Sequence, residues 1–174
     1  MNPEITIQKV QPEEAAQFAK FSADLFSETF AEFNDPKDME NYLAEAFNIN
    51  KIEEELTNPH TYCFYASKNS MPIGGIKFIV DTADASFTGI KSAEISRLYV
   101  AKAYHNQKIG AMLMQYAIDW ALQNKTEKLW LGVWEKNQKA IDFYLQWGFT
   151  KTGIVDFKLG NDLQQDWLME KQLR

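Results

Sequence analysis

At 174 residues, 45% apolar and 14% aromatic, the chain holds enough hydrophobic material for one packed core, which predicts a single domain over 1–174 and argues against disorder. Its net charge of -6 argues against nucleic-acid binding, which needs a basic footprint, and is compatible with a small cationic substrate. No apolar run approaches the roughly 18–20 residues of a membrane helix, and the opening MNPEITIQKV lacks a signal-peptide pattern, so a cytoplasmic protein with no membrane partner is expected.

The first strand is expected over Glu4–Val10, followed by a helix entered near Pro12 with an apolar stripe of Phe18, Leu25, Phe26, Phe30 and Phe33. Asn34-Asp35-Pro36 ends that helix and starts a second, with Asp35 as N-cap. Met39, Tyr42, Leu43 and Ala46 continue it, Ile52–Leu56 adds a turn or two, and Asn58-Pro59 stops it. Tyr62–Ser67 and Ile73–Asp81 read as a hairpin about Asn69-Ser70. The lone Cys63 sits in an apolar strand run and reads as a buried, inert thiol. With two separated histidines besides, no metal cluster can be drawn.

Asp81–Ser92 reads as a polar loop. Then come a strand over Ala93–Ala101, a helix over Lys108–Asn124, a strand over Lys128–Trp134 and a helix over Gln138–Trp147. A hairpin of Phe149–Phe157 and Gln164–Lys171 about Gly160-Asn161-Asp162 closes the chain and offers a plausible homodimer edge. The order β-α-α-β-β-β-α-β-α-β-β predicts an α/β (α+β) fold with a mixed sheet, helices on both faces and a right-handed parallel crossover at its centre.

One junction carries chemistry. A polar loop, His105-Asn106-Gln107-Lys108-Ile109-Gly110-Ala111, opens directly into a helix, where unpaired N–H groups and the helix dipole favour an anion. Gly110 and Ala111 permit close approach of a pyrophosphate, and Lys108 adds a charge. An ordinary loop and helix start is the equally weighted alternative.

Glu94-Ile95-x-x-Leu98-Tyr99-Val100, the loop to Gly110-Ala111, and Asn137-x-x-Ala140-x-x-Phe143-Tyr144-x-x-x-Gly148-Phe149 resemble the GNAT superfamily of N-acetyltransferases. Ser27-Glu28-Thr29-Phe30, Tyr42-Leu43-x-x-Ala46-Phe47-Asn48 and Trp130–Asn137 are similar to bacterial spermidine/spermine N-acetyltransferases of the PaiA type. The loop departs from the usual Gln/Arg-x-x-Gly-x-Gly/Ala: His105 replaces the long side chain and Lys108 the first glycine. If that position takes positive φ, lysine bears about 1–2 kcal/mol of strain there.

The resemblance implies acetyl-CoA as cosubstrate and no metal. Its pyrophosphate would meet the amides of His105–Ala111, and its pantetheine arm would pair with Leu98, Tyr99 and Val100. Asn137, Lys139 and Tyr144 would complete the carrier site, although Asn137 reads equally as a simple N-cap. Tyr144 is expected to serve the departing thiolate as proton or hydrogen-bond donor; packing beside Phe143 and Trp147 is the bland alternative. Glu94 is the candidate base, acting through water on an ammonium near pKa 10; a structural carboxylate paired with Arg97 or Lys102 is the alternative.

For the acceptor, Glu28, Glu32 and Asp35 are candidates to hold a second ammonium, against a solvated acidic face. Trp134 is a candidate to line the pocket, against a place in the core. The expected reaction is direct acetyl transfer to a primary amine, most concretely a polyamine such as spermidine. Acetylation of a peptide N-terminus, amino acid or aminoglycoside, and a non-catalytic CoA-binding module, remain as rivals.

Overall fold

A computed structural model describes residues 5–80 and 89–174. Glu4, Asp81 and the expected loop over 82–88 lie outside these. Seven strands form one sheet: β1 (Ile5–Lys9), β2 (Thr61–Lys68), β3 (Met71–Val80), β4 (Ser92–Val100), β5 (Lys128–Trp134), β6 (Thr150–Leu159) and β7 (Asp162–Gln172). Their order is β1-β2-β3-β4-β5-β7-β6, with β4–β5 the parallel pair and every other pair antiparallel. The helices are α1 (Ala15–Phe30), α2 (Pro36–Ala46), α3 (Ile49–Thr57), α4 (Ile109–Gln123) and α5 (Gln138–Gln146).

The mixed sheet and its parallel crossover are as expected, and the helical region between β1 and β2 differs in two ways. Asn48 accepts a hydrogen bond from the backbone N–H of Asn50, so Ile52 and Leu56 belong to a separately capped helix, α3, and do not prolong α2. Phe33 leaves the stripe of α1: the helix ends at Phe30, and Phe33 lies 58% exposed in a 3-10 turn.

Alternation along β2 shows why helices cover both faces. Phe64 and Ala66 join the core beneath Ile109, Leu113 and Ala117 of α4. Cys63 and Tyr65 point the other way, against Ala15, Phe18 and Ala19 of α1 and Ile52 of α3. Burial pushes the Cys63 thiol up to about 12, as an inert core side chain requires. The β2–β3 connection is a two-residue turn with Asn69 and Ser70 both at positive φ (50° and 63°), whose twist suits a hairpin.

Two features of β4 shape the site. Between β3 and β4 the register shifts, Lys77 facing Arg97 and Phe78 facing Ile95, which leaves Ser96 as an extra residue. This bulge resets the alternation, so Ala93, Ile95, Leu98 and Val100 face the α4 core while Tyr99 joins the cluster under α2. Secondly, β4 and β5 pair only at Ser92–Lys128, Ala93–Leu129 and Glu94–Trp130. Beyond Trp130, β5 stays with β7 through to Trp134–Asp166, while bulged β4 follows β3.

Candidate active site

The divergence of β4 from β5 opens a cavity of about 770 Å³ between the outer half of β4, the start of α4, and α5. Glu94, Leu98, Tyr99 and Val100 line it from β4. His105, Asn106, Lys108, Ile109, Gly110 and Ala111 line it from the loop and α4, and Asn137, Lys139 and Tyr144 from α5. One wall therefore gathers nearly all the residues that the sequence nominated for the carrier. Gln107 is exposed, makes a side-chain bond to the Ala103 carbonyl, and does not line the cavity.

The loop before α4 contains the conformation on which the glycine substitution turned. Lys108 sits at φ 63°, ψ 12°, in the left-handed region, and Asn106 at φ 65°. Lysine in that region costs about 1–2 kcal/mol, whereas asparagine tolerates it better. The conformation leaves the first-turn amides of α4 without helical partners, since Met112 N–H is the one that closes back on the Lys108 carbonyl. Gly74 on β3 lets this end of α4 seat closely: a Cβ there would stand 3.3 Å from both Ile109 Cγ2 and Leu113 Cδ1.

His105 locks the loop to both neighbours. Its Nε2 lies 2.8 Å from the Val100 carbonyl and its Nδ1 3.1 Å from Lys139 Nζ. A carbonyl accepts only and an ammonium donates only, so Nε2 carries the proton and Nδ1 accepts. The Val100 carbonyl is thus occupied by the chain itself, while the β5-facing edge of β4 beyond Glu94 lacks a neighbouring strand. Asn137 caps α5 by accepting from Ala140 N–H at 3.2 Å and also lines the cavity, so cap and wall coincide.

Tyr144 is 8% exposed, packs edge-on against Phe143 and Phe149, and borders the cavity. Burial pushes its phenol up to about 12, so it keeps its proton at neutral pH. Burial likewise raises Glu94, opposed by the nearby cations Lys77 and Arg97. Neither cation is Glu94's own partner: Lys77 Nζ bonds Glu55 Oε1 at 2.6 Å, and Arg97 lies 3.6 Å from Glu55 Oε2 and over the Phe47 ring.

The acceptor candidates are divided. Trp134 lines the cavity and meets Phe30 edge to ring at 6.1 Å and the tilted ring of Phe33 at 5.5 Å. Glu28, Glu32 and Asp35 do not line it. Glu28 accepts from the Lys102 backbone N–H at 3.1 Å, and Asp35 caps α2 through Lys37 and Asp38 N–H. The carboxylate that does enter the cavity beside Trp134 is Asp166 of β7, which sequence reasoning passed over. Its signal was faint: one acidic residue in a polar strand whose partner lies far away in sequence.

The residues present fit a pyrophosphate-bearing, amide-rich carrier, since free helix amides and a free strand edge meet in one cavity. Among the described residues no group of three or more His, Cys, Asp or Glu side chains is placed to hold a metal, and no helix is long and apolar enough to cross a membrane.

Residues 22–149 match the acetyltransferase (GNAT) family. An uncharacterized N-acetyltransferase of Lactobacillus delbrueckii subsp. lactis is 30% identical over 169 residues, covering 97% of this chain and 98% of the relative. Among solved structures, the PaiA N-acetyltransferase of Thermoplasma acidophilum in complex with coenzyme A shares the fold at TM-score 0.76 and 23% identity, covering 97% of this chain and 99% of that one. An aminoglycoside 6'-acetyltransferase type Ii does so at TM-score 0.70 and 19% identity, with 97% of each chain covered. The chain belongs to the GNAT family of acetyl-CoA-dependent N-acetyltransferases.

Proposed function

We propose that the protein transfers the acetyl group of acetyl-CoA to a primary amine of a polyamine such as spermidine or spermine. The observation that carries this reading is the convergence of Glu94, Tyr144 and the free edge of β4 on one cavity whose far wall is aromatic and acidic. The likeness of Trp130–Asn137 to the PaiA type supports the acceptor class. A homodimer through the β6 edge, where Ile154 is 52% exposed, belongs to the same reading and is checked by sedimentation.

When bound, acetyl-CoA supplies an acyl group activated as a thioester. The first-turn amides of α4, with Lys108 and Lys139, hold its phosphates, and the backbone of Leu98 and Tyr99 aligns its amide-bearing arm. Glu94 draws a proton from the incoming ammonium through water, which frees the nitrogen lone pair. Its burial raises its basicity, bringing its pKa nearer the working pH.

Tyr144 lines the cavity where the leaving sulfur would lie. Burial pushes the Tyr144 phenol up, so it enters the reaction as a protonated donor. Tyr144 serves the departing thiolate as proton or hydrogen-bond donor, any proton it gives being replaced from the reacting nitrogen. In balance, the proton that ends on sulfur comes from the nitrogen as it becomes an amide.

CoA release from acetyl-CoA and spermidine, measured with wild type and Tyr144→Phe, tests the reading. Spermidine-dependent release that falls roughly 10²-fold in the variant is expected, with the KM for acetyl-CoA held. Release unaffected by the variant removes Tyr144 from the chemistry. Release with an aminoglycoside or peptide and none with spermidine moves the acceptor class.

A further inference from the structure

Asp166 has a place in the cavity that the reaction itself does not explain. It stands on β7 directly opposite Trp134 of β5, with Oδ2 3.3 Å from where a Cβ on Gly132 would sit. Its Oδ1 is shielded from solvent and has no hydrogen-bond partner. No described lysine or arginine forms an ion pair with it. Asp166 is half-buried, and a shielded carboxylate oxygen left without a partner is costly and demands a reason. Desolvation alone pushes it up to about 6, so it is still mostly ionised at neutral pH.

The surroundings are those of a cation site. Trp134 and Tyr42 line the same cavity, and Tyr42 meets Phe157 edge-on at 5.6 Å, so aromatic rings accompany the carboxylate. Register separates this station from the reacting one. Glu94 pairs with Trp130 on one side of β5, whereas Asp166 pairs with Trp134 on its other side, four residues and roughly 13 Å of strand rise further along. An acceptor nitrogen must shed its proton at Glu94 in order to react, but a second ammonium in the same molecule stays charged and needs a counter-charge where it comes to rest.

We infer that Asp166, with Trp134, is the anchor for the non-reacting cationic tail of the acceptor, and that it makes the enzyme select long amines with a second ammonium over monoamines. This inference rests on the acetyl-transfer reading of the same cavity. Of the acidic residues that the sequence offered for this role, Glu28, Glu32 and Asp35, none lines the cavity; Glu28 is tied to Lys102 N–H and Asp35 caps α2. The wall that carries Asp166 is fixed from the opposite side: Gln164 donates to Asn34 Oδ1 at 2.6 Å, and Asn161 N–H donates to Asp38 at 2.9 Å.

The test compares wild type, Asp166→Asn and Asp166→Glu on spermidine and on n-butylamine, whose tail is uncharged. Calorimetric binding of spermidine to the CoA-loaded protein is measured alongside. Expected is a wild-type preference for spermidine well above tenfold in kcat/KM. Asp166→Asn should raise the spermidine KM at least tenfold with kcat within about threefold, cost n-butylamine at least tenfold less, and weaken spermidine binding in step. Asp166→Glu should recover part of the loss. An unchanged spermidine KM and binding constant in Asp166→Asn overturns the anchor while leaving the polyamine reading intact. If spermidine is not acetylated, the acceptor reading fails by itself, and the calorimetry decides: weaker binding in Asp166→Asn upholds the anchor, whereas equal binding, or none to wild type, overturns it. Thermal melts establish that both variants are folded.

Discussion

Glu94 and Trp130 are the last residues to pair across β4 and β5, and the cavity begins where their pairing stops. The candidate base therefore stands at the vertex of the opening, with its backbone held from both sides by Ile79 and Trp130. Glu94→Gln keeps the side-chain shape and removes the base. We expect kcat/KM to fall roughly 10²-fold at neutral pH. The wild-type rate should drop as pH falls through the raised pKa of Glu94, because the carboxylate must be ionised. That acid limb should vanish in the variant, and a pH–rate profile reads it.

Lys108 carries backbone strain and a charge in one residue. Lys108→Gly should relieve about 1–2 kcal/mol of left-handed strain and lose part of it to the greater freedom of the unfolded glycine, for a net gain of about 0.5–1 kcal/mol. Thermal denaturation should show a rise of a few degrees. The KM for acetyl-CoA should increase as the ammonium disappears from the phosphate cradle. Higher stability with an unchanged KM would mean that Lys108 does not serve the phosphates.

Beneath the cavity, Glu55 is the carboxylate between two buried cations, Lys77 at 2.6 Å and Arg97 at 3.6 Å. Glu55→Gln removes the carboxylate bonded to Lys77, leaves Glu94 as the nearby counter-charge, and should destabilise the fold by up to about 3–5 kcal/mol. Replacing Lys77 by Met in the same chain should restore most of the loss, because a buried pair exchanged for apolar packing is often neutral. Urea unfolding of the single and double variants measures both.

Asp166 should leave a mark on stability as well as on specificity. Its folded pKa of about 6 lies above the ordinary value of 3.8, so folding favours its protonated form. That contribution is complete below about pH 4 and is lost as pH rises through about 6. Asp166→Asn should therefore melt close to wild type in acid and above it at neutral pH, the gap opening between about pH 4 and 6. A gap of opposite sign would mean that a cation already partners the carboxylate.

Local grammar made much of this molecule legible. Asn69-Ser70 marks the β2–β3 turn, Asp35-Pro36 starts α2, and the polar loop running into Ile109 marks the start of α4, each through preferences acting within a few residues. The break at Asn48 escaped because the apolar period runs on through Ile52, and a cap is a weaker signal than a stripe. The bulge at Ser96 left no trace, since any residue can be the extra one; yet it decides that Arg97 looks away from the α4 core. Acidic residues on α1 stood out because they cluster in sequence. Asp166 reaches the cavity through pairing between β5 and β7, a relationship that nothing near it in the chain announces.

The placing of β7 between β5 and β6 bears on how the enzyme is made. On a ribosome the chain emerges with β5 and β6 complete before the strand that must slot between them exists. The whole carrier wall, residues 94–144, can leave the exit tunnel while β5 still has one bare edge and Asp166 has yet to join the cavity. The pairings that finish the molecule, Asn34 with Gln164 among them, join segments 130 residues apart and close slowly for that reason. Asp166 thus joins Trp134 and Tyr42 in the cavity only once β7 has paired with β5.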